Sequence, residues 1–232
     1  MVAGGLRFAG YFMGDDLHRG TPGNPKGLFE DYEINRINED LMARGLPSLS
    51  FPPGTGWAVD VPASATLVVR RSLERRMVAQ ATKAPFCFKD PRFCYTLPAW
   101  RPYLGDPAFV CVFREPARTA RSIVRELREP YYSGVDIDYG RAIRVWVSMY
   151  ERVLEQRKRG GDWVFVHYDQ VIDGSAVSAI SALVGAEFDA SFPDARLQRE
   201  VRGGDVGRDA LRLYAELCSL AGFRPQGTEP GG

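Results

Sequence analysis

The sequence predicts an α/β fold, a parallel β-sheet flanked by helices in the manner of P-loop nucleotide-binding proteins, and three observations lead there. Three short apolar runs, 85–88, 108–113 and 163–166, are each followed within a few residues by a polar turn and a helical pattern. That alternation is the mark of β-α-β units, whose parallel strands are buried on both faces and read as continuous apolar runs. Between the second and third runs, residues 139–158 carry Ile143, Trp146, Val147, Tyr150 and Leu154 as one apolar stripe at helical spacing. The composition, 45% hydrophobic and 25% charged, is that of a globular domain rather than a disordered or fibrous chain.

Taken in order, residues 2–14 are read as a helix, with Val2, Leu6 and Ala9 on one side. A loop follows over 14–27, where Gly20, Pro22, Gly23 and Pro25 interrupt regular structure. Residues 31–44 are helical, with Ile34, Ile37, Leu41 and Met42 in phase. The stretch 47–62, with Pro47, Pro52, Pro53 and Pro62, reads as a second loop. Residues 63–80 are expected to be a helix, although Thr66-Leu67-Val68-Val69 has local strand character. After the run 108–113 comes a helix opened by Pro116, at a position where its missing N–H costs nothing. Helices over 175–184 and 205–220 complete the domain, 1–224, and a Gly/Pro-rich tail, 225–232, follows it.

The charge balance excludes whole classes of partner. Lys plus Arg is 30 and Asp plus Glu is 29, a formal charge of +1, far from the basicity of a protein that holds nucleic acid through bulk charge. No apolar run approaches the ~20 residues of a membrane helix, so neither nucleic acid nor membrane is an expected partner. The 4 cysteines form no Cys-x-x-Cys pair and sit mostly in apolar runs, which suits reduced core residues of a cytoplasmic protein. With 2 histidines, His18 and His167, and no clustered ligands, no metal site is expected.

In parallel sheets ligands bind at the carboxyl ends of strands, so chemistry is sought just after Phe88, Phe113 and Val166. Arg114 ends the second run and precedes a helix whose N-terminal N–H groups and dipole favour an anion, most naturally a phosphate. Ser122, in the second turn of that helix, is placed to reach the same anion. The competing reading is a solvated arginine face, since Arg118, Arg121, Arg125 and Arg128 recur every three or four residues. Lys89 ends the first run as a positioned cation, or else forms a surface pair with Asp90. Tyr168, after the third run, is read as stacking on a base or as a core-edge aromatic with a wet hydroxyl. Glu30 stands before the helix at 31–44, where either it or Asp31 caps that helix or Glu30 serves as a general base, with His18 the weaker candidate for the base.

Together, GYFMGDD (10–16), NPKGLFED (24–31), KDPR (89–92), FREPARTARSIV (113–124) and VHYDQVI (166–172) resemble, in order and spacing, the sulfotransferases that use 3′-phosphoadenosine 5′-phosphosulfate, PAPS. The resemblance spans about residues 1–175 and implies the P-loop-like fold. It implies that Arg114 and Ser122 hold the donor's 3′-phosphate, that Lys89 stands beside the transferring sulfuryl group and Glu30 deprotonates the acceptor. Tyr168 then lies near the adenine, and Arg202, within Arg199–Gly204, belongs to a basic loop closing over the 3′-phosphate. The implied reaction moves a sulfuryl group from PAPS to a hydroxyl or amine of a small molecule or glycan, without a metal.

One departure stands against these matches. Relatives begin with a strand and a loop resembling Arg-Ser-Gly-Thr-Ser that cradles the 5′-phosphosulfate, whereas Met1-Val2-Ala3-Gly4-Gly5 resembles the helix after that loop. Gly4 and Gly5 are read as marking close helix packing rather than a phosphate loop. The expectation is an internal start at Met1 with a short upstream extension. The alternative is a truncated, catalytically impaired nucleotide-binding protein. A P-loop kinase is disfavoured because no Gly-x-x-x-x-Gly-Lys-Ser/Thr occurs, and a dinucleotide-binding dehydrogenase because no Gly-x-Gly-x-x-Gly follows a strand. Composition does not reveal the acceptor or the oligomeric state.

Overall fold

The computed structural model describes residues 1–20, 24–46, 51–62, 65–129, 132, 135–197 and 204–225. Its elements, in chain order, are α1 (Val2–Gly5), α2 (Tyr32–Gly45), α3 (Arg71–Ala81), α4 (Phe93–Trp100), β1 (Ala108–Phe113), α5 (Pro116–Glu126), α6 (Tyr139–Lys158), β2 (Asp162–His167), α7 (Tyr168–Ile172), α8 (Val177–Val184) and α9 (Gly207–Leu220).

β1 and β2 pair in parallel, from Ala108 opposite Asp162 to Phe113 opposite His167. Successive side chains of a strand point to opposite faces, and here each face meets its own layer. Cys111, Phe113 and Phe165 pack with Trp146, Leu213 and Leu217 of α6 and α9. Val110, Val112, Val164 and Val166 turn the other way, onto Ile180 of α8, Val171 and the α1 segment. A third cluster joins α2, α3 and α4 through Ile34, Ile37, Leu41, Leu73, Met77 and Trp100. The α/β class is therefore observed, with a two-stranded parallel sheet among the described residues.

Several boundaries differ from the sequence reading, each for a physical reason. Helix α1 stops at Gly5 instead of running to 14. Gly10 takes φ +81°, and Phe12 is drawn into a parallel bridge with Phe86, its N–H bonding the Pro85 carbonyl at 2.8 Å. Among the described residues that bridge is the strand pairing the run 85–88 makes, with the Cys87 N–H returning to the Phe12 carbonyl at 2.9 Å. Helix α3 starts at Arg71, and Leu67 and Val69 pack against the third cluster from an irregular segment. Helix α4 was not foreseen, since Pro98 lies inside it and Pro reads as a breaker. Helices α2, α6, α8 and α9 lie where the periodicity puts them. Gly4 and Gly5 do mark close packing: a Cβ on either would stand 2.2 Å and 2.3 Å from the rings of Phe192 and Phe188. Of the tail, Pro225 is described. No helix among the described residues is long and apolar enough to cross a membrane.

Candidate functional site

Glu30 and Lys89 come from separate loops and meet. The Lys89 ammonium donates to Glu30 Oε1 and pairs with it, while Asn35 Nδ2 donates to Glu30 Oε2 at 3.2 Å. The Glu30 side chain is 9% exposed and that of Lys89 42%, so the carboxylate is enclosed and the ammonium reaches solvent. Glu30 does not cap α2. Asp31 does, its Oδ1 accepting from the N–H groups of Glu33 at 2.9 Å and Ile34 at 3.0 Å, and its Oδ2 from Asp16 at 3.0 Å. Of the two carboxylates read as candidate caps, Asp31 takes the role. Phe29, immediately before, is the one non-glycine residue with positive φ among the described residues, at 55°. Such a conformation costs of order 1 kcal/mol and persists where the surroundings demand it. Here it swings Glu30 toward Lys89.

A buried polar network holds this pair from behind. Asp90 Oδ2 accepts from Asn35 at 2.7 Å and Asn38 at 2.9 Å, and Asp90 Oδ1 from the Arg92 N–H at 2.8 Å and Nη1 at 3.0 Å. Arg92 also donates from Nε to Glu39 at 2.6 Å, and Asn38 Oδ1 accepts from Thr96 and Trp100, each at 2.8 Å. Asp90 is therefore paired inward, with Arg92, rather than with Lys89 at the surface. The sequence reading missed Asn35, Asn38, Arg92 and Glu39. The signal was present: Asn35 and Asn38 stand within the apolar stripe of α2, and a buried amide requires partners.

At the end of β1, Arg114 lies with its guanidinium carbon 4.5 Å from the centre of the Tyr168 ring. Its Nε and Nη2 are buried and have no hydrogen-bond partner among the described residues. Burial, and then the neighbouring Arg118, push its pKa down, but a guanidinium stays charged. A half-buried guanidinium over a tyrosine, with two nitrogens lacking a partner among the described residues, is a site that an anion with an aromatic neighbour would complete.

The helix N-terminus next to it is not open, however. Glu115 caps α5, accepting from the N–H groups of Ala117 at 3.0 Å and Arg118 at 2.7 Å. The expected unpaired amides are filled by a carboxylate, which leaves anion recognition to the arginine side chains. Ser122 Oγ accepts from Arg125 at 3.2 Å, and no hydrogen bond joins it to Arg114 among the described residues.

His18 stacks on Tyr32, ring centres 3.7 Å apart, with its Nε2 buried and without a partner among the described residues. His167, the last residue of β2, is 1% exposed. Its Nδ1 accepts from the Asp169 N–H at 3.2 Å, so the neutral ring carries its proton on Nε2, 3.1 Å from the Tyr214 hydroxyl. Burial pushes its pKa down to about 4 against the opposing pull of Asp169, with Arg118 and Arg114 adding to the fall. Arg202 lies outside the described residues. Gly204, just beyond it, returns to α5 and α6, where a Cβ would stand 2.6 Å from the Tyr139 hydroxyl and 3.2 Å from Arg121 Nη2.

Cys87, on the segment leading to Lys89, packs on the same cluster as Val110 and Val112 of β1. Comparison with protein-family models, curated proteins and solved structures finds no match to the chain.

Proposed function

We propose that the chain is a PAPS-dependent sulfotransferase of P-loop-like fold, moving a sulfuryl group to a hydroxyl or amine of a small-molecule or glycan acceptor. The observation that carries this reading is the meeting of Glu30 and Lys89 across 59 residues of sequence, a buried carboxylate against a cation open to solvent. In-line sulfuryl transfer needs those two groups together. The acceptor oxygen forms its bond to sulfur and gives its proton to Glu30. The bridging S–O bond breaks, and Lys89 neutralises the charge left on the phosphate oxygen. The two roles are coupled, because Glu30 loses its charge on taking the proton and so releases Lys89 toward the leaving oxygen. Bound here, the donor supplies the sulfuryl group and departs as adenosine 3′,5′-bisphosphate. Arg114 pairs with the 3′-phosphate, Tyr168 offers its ring edge to the base, and Ser122 exchanges Arg125 for a phosphate oxygen.

The test is calorimetric titration with adenosine 3′,5′-bisphosphate. The native chain should bind it, and Arg114→Ala should bind about 30-fold more weakly, the worth of a charge-assisted pair of ~2 kcal/mol. No binding, or equal binding by the variant, overturns the assignment. One observation favours a second reading, nucleotide binding without transfer: Glu30 is already engaged by both Lys89 and Asn35. Tight bisphosphate binding with no consumption of PAPS across phenolic, sugar and amine acceptors would select it.

A further inference from the structure

We infer that a cavity between the end of α2, α4 and the end of α6 binds a small amphipathic carboxylate, its apolar chain inside and its head group on Arg159. The inference is independent of sulfuryl transfer. Helix α2 begins beside Glu30 and α4 follows directly on Lys89-Asp90, whereas α6 ends where β2 begins. Leu46 stands at the end of α2, Gln156 and Arg159 at the end of α6, and Tyr95, Pro98 and Ala99 along α4. Between them lies a cavity of about 270 Å³. Ligand pockets usually run from ~300 to 1,000 Å³, so the space suits a chain of medium length rather than a full lipid.

The outer wall of the cavity is fixed in place. Tyr95 Oη donates to the Val59 carbonyl and Ser148 Oγ to the Val61 carbonyl, each at 2.9 Å, and Arg152 donates to the Pro62 carbonyl. Farther along, Gly45 at the end of α2 lets the wall come close, since a Cβ there would stand 3.0 Å from Leu67 Cα. The lining divides by chemistry. Leu46, Val61, Leu67, Val69 and Ala99 form the apolar part. Opposite them, Arg152, Gln156 and Arg159 recur at i, i+4 and i+7, one face of α6.

That polar face is incomplete. Gln156 is 2% exposed, yet its Oε1 has no hydrogen-bond partner among the described residues. Arg159 forms no ion pair among the described residues, and beside it Arg101 keeps a buried Nε without a partner. Arg101, whose Nη2 donates to the carbonyls of Gln156 at 2.7 Å and Gly160 at 3.1 Å, has its pKa lowered by burial and by repulsion from the charge of Arg159. An anion on Arg159 relieves that repulsion. The Gln156 amide, which offers an acceptor on one side and donors on the other, serves a carboxylate by turning its nitrogen to it. The aliphatic wall then takes the chain, worth ~0.8 kcal/mol for each methylene removed from water.

The probe is sodium octanoate, added to the ¹⁵N-labelled full chain and followed by NMR, with 1-octanol as the neutral control. Saturable shifts should concentrate at Leu67, Val69, Ala99 and Arg159, and octanol should bind more weakly. Arg159→Gln should weaken octanoate about tenfold, the loss expected for one charge-assisted contact at a solvated rim. Arg159 is exposed, so this variant keeps the fold, and an unchanged urea midpoint verifies it. Leu67→Trp should fill the cavity and abolish binding. Absence of saturable shifts, shifts centred elsewhere, equal affinity for octanol, or no effect of Arg159→Gln each overturns the proposal.

Discussion

Glu30 and Asp31 are adjacent carboxylates with different tasks, and substitution should separate them. Asp31→Ala removes two hydrogen bonds to the start of α2 and one to Asp16, and should cost about 2 kcal/mol of unfolding free energy in urea titration. Glu30→Gln leaves that cap intact. It should lower sulfuryl transfer by roughly 10²-fold or more, the range of general-base catalysis, with bisphosphate affinity unchanged in calorimetry. Full transfer by Glu30→Gln would leave the Glu30–Lys89 pair a purely structural one. His167 sets a different expectation, on pH. Its pKa of about 4 in the fold lies below the ordinary value of 6.5, so between the two the unfolded chain binds a proton that the native chain refuses. Stability is then full above about pH 6.5 and falls as pH drops toward 4, by up to about 3 kcal/mol. Urea midpoints at pH 7 and pH 4.5 measure this fall, and His167→Gln should remove most of the slope.

At the scale of elements, what the sequence discloses follows from what each element needs. Helices α2, α6, α8 and α9 carry an apolar stripe on one face, and a stripe of that period has no other use, so their positions are legible. Pro116 at the first turn of α5 is legible for the same kind of reason, a local steric rule. The segments that mislead are those whose structure is decided by distant partners. Phe86 is extended because Phe12 pairs with it, and residues 66–69 lie irregular against α2 and α4. The site divides likewise. Arg114, Tyr168, Lys89 and Glu30 stand at ends of runs or starts of helices, where position alone marks them, and the structure brings them together in two pairs. That Glu115 rather than a ligand fills the start of α5, and that Asn35 ties Glu30 to Asp90, depends on side-chain rotamers that no spacing rule reports. Asn35→Ala tests the second point. It leaves Asp90 with one donor fewer in a buried network and should cost 1–3 kcal/mol of stability by urea titration.

At the scale of the whole molecule, the first residues and the segment after α8 pack on each other beside the sheet. Two strands bury too little to stand alone, and the layer on one of their faces needs α1, whose Gly4 and Gly5 press on the rings of Phe192 and Phe188 from nearly two hundred residues away. The Asp189 N–H donates to the Gly5 carbonyl at 2.8 Å, and Arg7 lies over the Phe192 ring at 4.6 Å, so the contact is both apolar and polar. A methyl group at residue 5 has no room, with ring carbon at 2.3 Å, whereas at Gly140, in the first turn of α6, the nearest atom is 3.5 Å away. The same substitution should therefore act with opposite signs at the two positions. Gly140→Ala should stabilise the chain by up to about 1 kcal/mol through its lower unfolded-state entropy. Gly5→Ala should destabilise it by about 1–3 kcal/mol, because the Phe188 ring must leave its place. Urea unfolding of both variants decides the matter. Stabilisation by Gly5→Ala would show that the α1 contact is loose and that the sheet and α6 hold the fold without it.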